Sequence, residues 1–314
     1  MSNEGAIRGT RRDIASFFFT GLTGLCTAII TLILLIIVGN IVYHGWGRFT
    51  LGFLTRGTEH GMFDLDKAGI FPMIFGTAAR VLVMTMFVVP IGVITAIYMT
   101  EYAHRSSRLV RLLRGAINNL AGVPSIVFGL FGVGFFINFV GGQMDLALNA
   151  KGSEPIWGKP AIIWASLTLA VMTLPVVIVA TEEALKAIPA GLREASLALG
   201  ATKLETIIKI VFPQALPGIL TGGILAISRA TGEVAPILFT GAAYYMASLP
   251  KSLSDQFMDL GYHVYILSTQ AQNVDETRPL LYATVLALLA LTFALNIVAI
   301  FVRARMRAQM RALH

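Results

Sequence analysis

Long apolar segments alternate with shorter polar segments along this chain, and the alternation predicts six helices that cross a membrane. A transmembrane helix needs about 20 mostly apolar residues to span the hydrocarbon core of a bilayer. The six stretches of about that length are Phe17–Tyr43, Val81–Thr100, Ile117–Val140, Ala161–Thr181, Gly218–Phe239 and Leu280–Val302. The pattern therefore predicts an all-α, polytopic membrane protein with six transmembrane helices and both chain ends on the same side.

The polar segment 182–217 is unusual because it carries helix signals of its own. Pro189 suits the first turn of a helix, where its missing N–H is not needed. The run 190–199 has helical character, and Gly200 suits the left-handed position that often follows a helix. This segment is therefore predicted to be a folded insert between two spans.

A second helix is predicted directly after Gly200. Thr202 and Glu205 have the spacing of a capping box, and apolar residues recur at helical spacing beyond them. Pro213 is expected to end this helix. Two interpretations of the insert remain open at this point, an amphipathic structure on the lipid surface or a docking surface for a soluble partner.

The composition fits a membrane protein, and the basic residues indicate its orientation. The chain is 56% hydrophobic and 13% charged, with a mean hydropathy of +0.75. Lys and Arg are nearly twice as frequent in one set of connecting segments, which makes that set cytoplasmic. The cytoplasmic set comprises the N-terminus, 101–116, 182–217 and the C-terminal tail, and the outer set comprises 44–80, 141–160 and 240–279. We interpret the net charge of +7 as a basic inner rim facing anionic lipid, with no role for nucleic acid.

The sequence lacks the common catalytic and nucleotide-binding motifs. It contains no G-x-x-x-x-G-K-[ST] phosphate loop, no H-E-x-x-H and no G-x-S-x-G. The five histidines are scattered outside the predicted spans, and Cys26, the single cysteine, cannot form a disulfide within the chain. We therefore expect no catalytic residue, no metal site and no cofactor bound by this chain.

Two charged residues fall inside the fifth predicted span, where charge is costly. An arginine facing lipid near the middle of a bilayer costs on the order of 3 kcal/mol or more. Arg229 and Glu233 are four residues apart, so they share a helix face and can neutralise one another, which would make them a packing pair. The alternative is that Arg229 attracts an anion, with Pro236 opening the helix because it leaves the Gly232 carbonyl without a donor.

Two further polar features are each open to two interpretations. Arg80 precedes the second predicted span and either extends to the outer rim of the membrane or forms a second cationic contact at the mouth of a cavity. Asn118 and Asn119, at the start of the third predicted span, either cap the helix or line a pore.

The insert resembles a known loop. Arg193-Glu194-Ala195-Ser196, with Gly200 four residues later and Phe212-Pro213 further on, is similar to the E-A-A…G…I…L-P loop of the membrane-spanning subunits of ABC importers. Ser196 replaces the second Ala of that pattern, which is a change between small residues. The resemblance implies a coupling helix that sits in a cleft of an ATPase subunit, with Arg193, Glu194, Ala195 and Gly200 as coupling residues.

A narrower resemblance covers the fifth span. The segment 229–236, Arg-Ala-Thr-Gly-Glu-Val-Ala-Pro, resembles the R-A-x-G-E-T-A-P signature of phosphate ABC importer permeases, and 120–131 is similar to another segment of that family. The Ala-Pro that follows Glu233-Val234 favours the A-type permease over its C-type partner. Val234 stands where the family usually has Thr, so one hydroxyl ligand is lost.

These resemblances imply a fold, an assembly and a location. The fold would be that of a type I importer permease, with a permease domain at 70–302, a first helix and outer loop in 1–69, and a basic tail at 303–314. This non-catalytic subunit would lie in the bacterial inner membrane with a C-type permease, two ATPase subunits that bind ATP and Mg²⁺, and an external phosphate-binding protein. The aromatic outer loop 240–279 would either contact that binding protein or form an interfacial belt.

The resemblance to phosphate permeases leaves two other functions open. One is import of a different oxyanion, such as sulfate or molybdate. The other is a non-transporting membrane scaffold or sensor, which would have little need of a charge such as that of Arg229.

Overall fold

The computed structural model describes residues 10–58, 67–104, 107–148, 154–271 and 273–311. These residues are helical apart from loops and one isolated bridge between Ala242 and Phe257. The helices are α1 Thr10–Gly45, α2 Leu51–Thr55, α3 Phe71–Ile97, α4 Arg108–Ala121, α5 Ser125–Phe131, α6 Gly142–Ala147, α7 Ile162–Lys186, α8 Ala190–Ala198, α9 Lys203–Thr206, α10 Phe212–Thr231, α11 Ile237–Thr240, α12 Leu260–Thr269 and α13 Val274–Arg311. Short π-helical segments extend α3 (Tyr98–Tyr102), join α5 to α6 (Gly132–Gly141) and join α9 to α10 (Ile207–Val211).

Six helical stretches of the described residues are long and apolar enough to cross a membrane, which confirms the predicted number of spans. They are Ser16–Arg48, Phe71–Tyr102, Ser125–Ala147, Ile162–Lys186, Lys203–Thr231 and Asp275–Met306. The ends of the first, fourth and sixth lie within five residues of the predicted ends, whereas each of the other three differs by eight residues or more at one end at least.

The second span begins ten residues earlier than predicted, at Phe71. Pro72 occupies the first turn of α3, where its missing N–H costs nothing. The helix then continues through Arg80, whose charge is neutralised inside the protein. Of the two interpretations of Arg80, a position at the membrane rim is therefore wrong, because its side chain is fully buried.

The third span begins later than predicted, because the chain breaks between α4 and α5. Pro124 precedes α5, and its missing N–H and ring prevent α4 from continuing. Asn118 and Asn119 consequently lie exposed in the last turns of α4, and the predicted start of the span at Ile117 is wrong. α4 is amphipathic and buries Val110 against the bundle.

The fifth span was misplaced at both ends. Pro213 does not end a helix, because it lies in the first turn of α10 and a wide π turn, Ile207–Val211, carries the chain into it. The opposite end of the span falls at Thr231, before Gly232. Phe239, the predicted end, lies instead in the short helix α11.

The helix α7 is the centre of the bundle and packs against α3 and α10. Its fully buried side chains include Ala165, Leu169 and Val177. Small residues allow close approach, since a Cβ added at Gly222 of α10 would lie 2.7 Å from the Cβ of Ala180. Dense packing of this kind holds α10, and everything attached to its end, against α3 and α7.

The helix α1 has a different environment. None of its residues from Phe17 to Tyr43 is buried. It meets α13 near its end, where a Cβ on Gly45 would lie 2.8 Å from the Tyr282 carbonyl oxygen and where His44 stacks on the Tyr282 ring at 5.0 Å. The remaining length of α1 is left to face lipid or another chain.

Candidate functional site

The candidate site lies where α10 ends. Gly232 caps α10 in a helical conformation, the segment 233–235 is not helical, and Pro236 begins α11. Proline has no N–H, so it cannot restore the helical hydrogen bond to Gly232. The backbone is therefore open between the last turn of α10, which carries Arg229, and the first turn of α11.

Arg229, in the last turn of α10, and Glu233, in the non-helical segment, form a loose pair. The Arg229 Nε lies 3.4 Å from Glu233 Oε1, and the two side chains are 46% and 23% exposed. A pair this accessible contributes at most about 1 kcal/mol to stability. Among the described residues, the terminal nitrogens of Arg229 have no hydrogen-bond partner, so two of the guanidinium's donor groups remain available to an oxyanion.

Arg80 faces the same break from α3, but its side chain is fully buried. Its Nε donates to Asp259 Oδ2 at 2.7 Å, and its Nη1 and Nη2 donate to the carbonyl oxygens of Ala230 at 2.8 Å and Thr231 at 3.1 Å. The Glu233 carbonyl lies 3.5 Å from Nη2. In this chain, therefore, the guanidinium that was predicted to contact substrate directs its hydrogen bonds to the protein itself.

Asp259 is the partner of Arg80 that sequence reasoning missed. Its Oδ2 also accepts from the Thr77 hydroxyl at 2.8 Å, and its Oδ1 accepts from the Tyr262 N–H at 3.1 Å and so caps α12. Arg80 and Asp259 are 179 residues apart in sequence, so no local spacing pairs them. The available signal was a lone acid within the otherwise apolar run 257–261.

The insert 182–217 contains the predicted local structures. α8 ends at Ala198, with Leu199 as its C-cap. Gly200 follows with a φ of +86°, in the left-handed region, and the N–H groups of Gly200 and Ala201 bond back to the carbonyls of Leu197 and Ser196. The Thr202–Glu205 capping box is present. The Ser196 hydroxyl lies 2.9 Å from the Thr206 hydroxyl, so the residue that replaces the second Ala of the loop pattern also joins the two helices.

The coupling residues predicted in α8 divide into two groups. Arg193 points into the protein, where it bonds Glu101 at 2.8 Å and the carbonyl oxygens of Leu185 and Ile188, both at 2.8 Å. Glu194 and Ala195 are exposed instead. Large apolar residues are exposed on the same insert, namely Leu197, Leu199, Leu204 and Ile208. The insert therefore has an inner face attached to α3 and α7 and an apolar outer face.

The loop 241–259 is folded and contributes to the interior. Phe257, one of its aromatic residues, is fully buried and packs in the core, so it does not belong to an interfacial belt. Nearby, Asp255 accepts backbone hydrogen bonds from Lys251 and Ser252, and these lower the pKa of its carboxyl. A cleft of about 430 Å³ lies beside it and is lined by Lys159, Pro160, Met246, Ser248, Leu249, Lys251, Asp255 and Gln256.

No group of three or more His, Cys, Asp or Glu residues that could hold a metal ion occurs within the described ranges. Cys26 is an exposed free thiol on α1.

Comparison with solved structures shows the fold. A chain of a bacterial alginate ABC transporter, solved with its alginate pentasaccharide-bound periplasmic protein, superposes with a TM-score of 0.63 and 14% identity, over 95% of this chain and 97% of that one. An inward-facing MetNI methionine ABC transporter chain superposes with a TM-score of 0.50 and 20% identity, over 76% of this chain and 94% of that one. The fold is that of type I ABC importer permeases.

Sequence comparison shows the relatives. The probable ABC transporter permease protein YqgI of Bacillus subtilis (strain 168) is 34% identical over 73% of this chain and 71% of its own length. The phosphate transport system permease protein PstA 1 of Mycobacterium tuberculosis (strain ATCC 25618 / H37Rv) is 35% identical over 74% and 68%. Residues 88–311 match the family model of the binding-protein-dependent transport system inner membrane component. The chain therefore belongs to this family of inner-membrane transport components.

Proposed function

We propose that this chain is the A-type permease subunit of an ATP-driven importer for inorganic phosphate. The observation that carries the proposal is Arg229, a partly exposed arginine with unpartnered terminal nitrogens at the broken end of an apolar helix. Relatives named as phosphate permeases support the choice of anion.

The geometry accounts for anion binding in two parts. The planar fork of Arg229 matches two oxygens of an oxyanion. Glu233 can accept a hydrogen bond from an oxyanion that still carries a proton, as phosphate does at neutral pH, and it repels one that has no proton, such as sulfate. Arg229 alone would attract either anion, so Glu233 is the residue that discriminates.

The same proposal assigns the partners and the orientation. A C-type permease forms the other half of the pathway, two ATPase subunits bind ATP and Mg²⁺, and an external phosphate-binding protein delivers the anion. The exposed apolar side chains of the insert, with Leu199 90% exposed, support docking of an ATPase there, because apolar patches of soluble regions are commonly binding surfaces. Both chain ends are cytoplasmic, and this subunit performs no catalysis.

The test is ATP-dependent uptake of radiolabelled phosphate by the reconstituted complex, with sulfate and molybdate as competitors. We expect phosphate uptake that excess sulfate does not suppress. We expect Arg229→Gln to abolish uptake while leaving assembly intact. Arg114→Gln is the matched control. The Arg114 side chain is similarly exposed and pairs with Glu182 at 3.5 Å, and Arg114 is far in sequence from the end of α10.

The outcomes separate the alternatives. Equal competition by sulfate or molybdate would assign the importer to oxyanions in general. Unchanged uptake in Arg229→Gln would leave the arginine as a packing residue. A complex that transports none of the three anions would favour a scaffold or sensor.

A further inference from the structure

We propose that Arg80 is a positioning residue of the anion site, which fixes the backbone at the end of α10 and so places Arg229 and Glu233 without touching the anion. This inference rests on the proposed function for the identity of the anion, but the contacts that carry it are independent of that identity.

The first observation is that Arg80 donates hydrogen bonds to two carbonyl groups at the end of α10. The last carbonyl groups of a helix have no partner within it, and buried carbonyl groups must find one elsewhere. At the end of α10 the Thr231 carbonyl accepts from Arg80 at 3.1 Å, and the Ala230 carbonyl accepts from Arg80 at 2.8 Å as well as from the Glu233 N–H at 3.2 Å. A cation at this position also interacts favourably with the negative end of the helix dipole.

The second observation is that the guanidinium is itself held in place. Asp259 accepts from Nε at 2.7 Å, and Thr77 donates to the same carboxylate oxygen at 2.8 Å. The Thr77 hydroxyl also accepts the Leu260 N–H at 2.9 Å. Arg80 and Asp259 both have fully buried side chains, so the pair is neutralised inside the protein and offers no surface to a passing anion.

The third observation concerns the order of residues along α10. The two carbonyls that Arg80 holds belong to Ala230 and Thr231, which lie between Arg229 and Glu233 in the chain. Side-chain packing does not hold the segment at Gly232, which is exposed and has no atom within 4 Å of an added Cβ. Holding these carbonyls therefore sets the relative positions of the arginine and the carboxylate.

A purely structural role for Arg80 makes a different prediction from a positioning role. If the network only stabilised packing, its loss would reduce the amount of assembled complex, and the complex that survived would have a normal break at Gly232. A positioning role predicts an altered break in complex that is assembled normally. The measurement must therefore report on the backbone at residue 232.

A cysteine reporter provides this measurement. Cys26 is the single cysteine of the chain, so Cys26→Ser gives a background without thiols in this subunit. Gly232→Cys then places one thiol in the break, at a φ of −90° and in open space. The rate of its reaction with a charged, water-soluble thiol reagent is measured in the purified complex, with and without inorganic phosphate.

The central variant combines Arg80→Met with Asp259→Leu. Replacing both partners of a buried ion pair by apolar residues is often tolerated, whereas removing one partner leaves a buried charge. Ser166→Ala is the matched control, because it removes a buried hydrogen bond of 3.1 Å to the backbone carbonyl of Arg80 and leaves the guanidinium contacts intact. If the double variant fails to assemble, Thr77→Val replaces it, since that change leaves the Arg80–Asp259 pair in place and removes the hydroxyl's contacts to Asp259 and to the Leu260 N–H.

We expect the thiol at residue 232 to react at least about tenfold faster in the double variant, because two hydrogen bonds from a charged group are lost. We expect a smaller increase in Thr77→Val, because the Arg80 contacts to the two carbonyls remain, and no change in Ser166→Ala. Phosphate should slow the reaction in the original chain and lose this effect in the double variant. An unchanged reaction rate in assembled double variant and in Thr77→Val would overturn the proposal, as would a lower yield of complex with normal reactivity.

The two proposals fail in different ways. If phosphate has no effect on the reporter in the original chain but the double variant still reacts faster, Arg80 positions the break and the choice of phosphate is wrong. If phosphate protects the reporter equally in all variants, the anion is correct and the positioning role of Arg80 is wrong.

Discussion

The link between Arg193 and Glu101 should determine whether movement of the insert reaches the membrane-spanning helices. Arg193 lies on α8, and Glu101 lies on the π-helical end of the second span. Three contacts join them, with Arg193 Nη2 at 2.8 Å and Nε at 3.1 and 3.4 Å from the carboxylate oxygens. The perturbation is Glu101→Gln, which keeps the shape of the side chain and removes its charge.

The size of the effect follows from these contacts. The side chains of Arg193 and Glu101 are 21% and 9% exposed, so solvent screens them little. A hydrogen bond to a charged group contributes about 1.5–3 kcal/mol and a neutral one about half as much. Since glutamine retains one acceptor and the carbonyls of Leu185 and Ile188 still hold Arg193, we expect a loss of about 2 kcal/mol. That loss raises the population with α8 detached about thirtyfold.

The assay is the ratio of phosphate transported to ATP hydrolysed by the reconstituted complex. We expect Glu101→Gln to keep its ATPase subunits and to hydrolyse ATP, because the exposed face of the insert is unchanged, while the ratio falls. Arg193→Lys should lower the ratio too, since lysine lacks the planar fork that reaches Glu101 and two carbonyls together.

The control is Glu183→Gln, which removes an exposed carboxylate at the start of the insert and should leave the ratio unchanged. A normal ratio in both Glu101→Gln and Arg193→Lys would refute the reasoning, and the pair would then be a packing contact only.

Three further predictions use other contacts. Gly200→Ala should weaken ATPase co-purification modestly, and Gly200→Pro should weaken it strongly. The reason is that the φ of +86° costs any other residue about 1 kcal/mol or more. The control is Gly191→Ala, because Gly191 lies in the first turn of α8 with open space around it. Glu233→Gln should raise sulfate-stimulated relative to phosphate-stimulated ATPase activity in a complex without the binding protein, and an unchanged ratio would leave Glu233 as a charge partner. Burial lowers the pKa of His263 to about 4. The free energy of unfolding should therefore fall, by at most about 3 kcal/mol, as the pH is lowered from about 6.5 towards 4. Thermal unfolding of His263→Leu should lack this pH dependence.

The features that sequence predicted correctly are those encoded by neighbouring residues. The capping box at Thr202 and the left-handed Gly200 each depend on a few consecutive positions, and both are present. The number of spans likewise follows from the local density of apolar residues. Patterns of this kind are legible because the interactions they encode are formed within one or two turns.

Two prolines show the limit of predicting helix ends from neighbouring residues. Pro124 and Pro213 have the same chemistry, yet α4 ends before the first, whereas a π turn carries the helix through the second. The difference depends on whether the preceding turn can widen and leave the missing N–H without a required partner. The sequence around each proline does not state this, so the third and fifth spans were misplaced.

For the same reason, the sequence indicated only some of the charge pairs around the candidate site. Arg229 and Glu233 are four residues apart and were paired correctly. Arg80 and Asp259 are 179 residues apart, and Arg193 and Glu101 are 92 apart. Folding alone brings these partners together, so the sequence could locate the charges and could not assign their roles.

The separation of Arg80 from Asp259 also has a consequence for biosynthesis. A chain made from its N-terminus delivers α3 to the membrane long before the segment that carries Asp259 exists, and for that interval the arginine has no counter-charge from this loop. The hydroxyls of Ser166, Thr168 and Thr173 in α7 face no such delay, because each bonds a carbonyl of its own helix. A helix such as α7, whose hydroxyls bond within the helix, can enter the bilayer singly. By contrast, α3 reaches its final state only after translation has passed Asp259. The loop that carries Asp259 thus completes a helix made much earlier, and a nascent chain shortened before that loop would carry an unneutralised charge in α3.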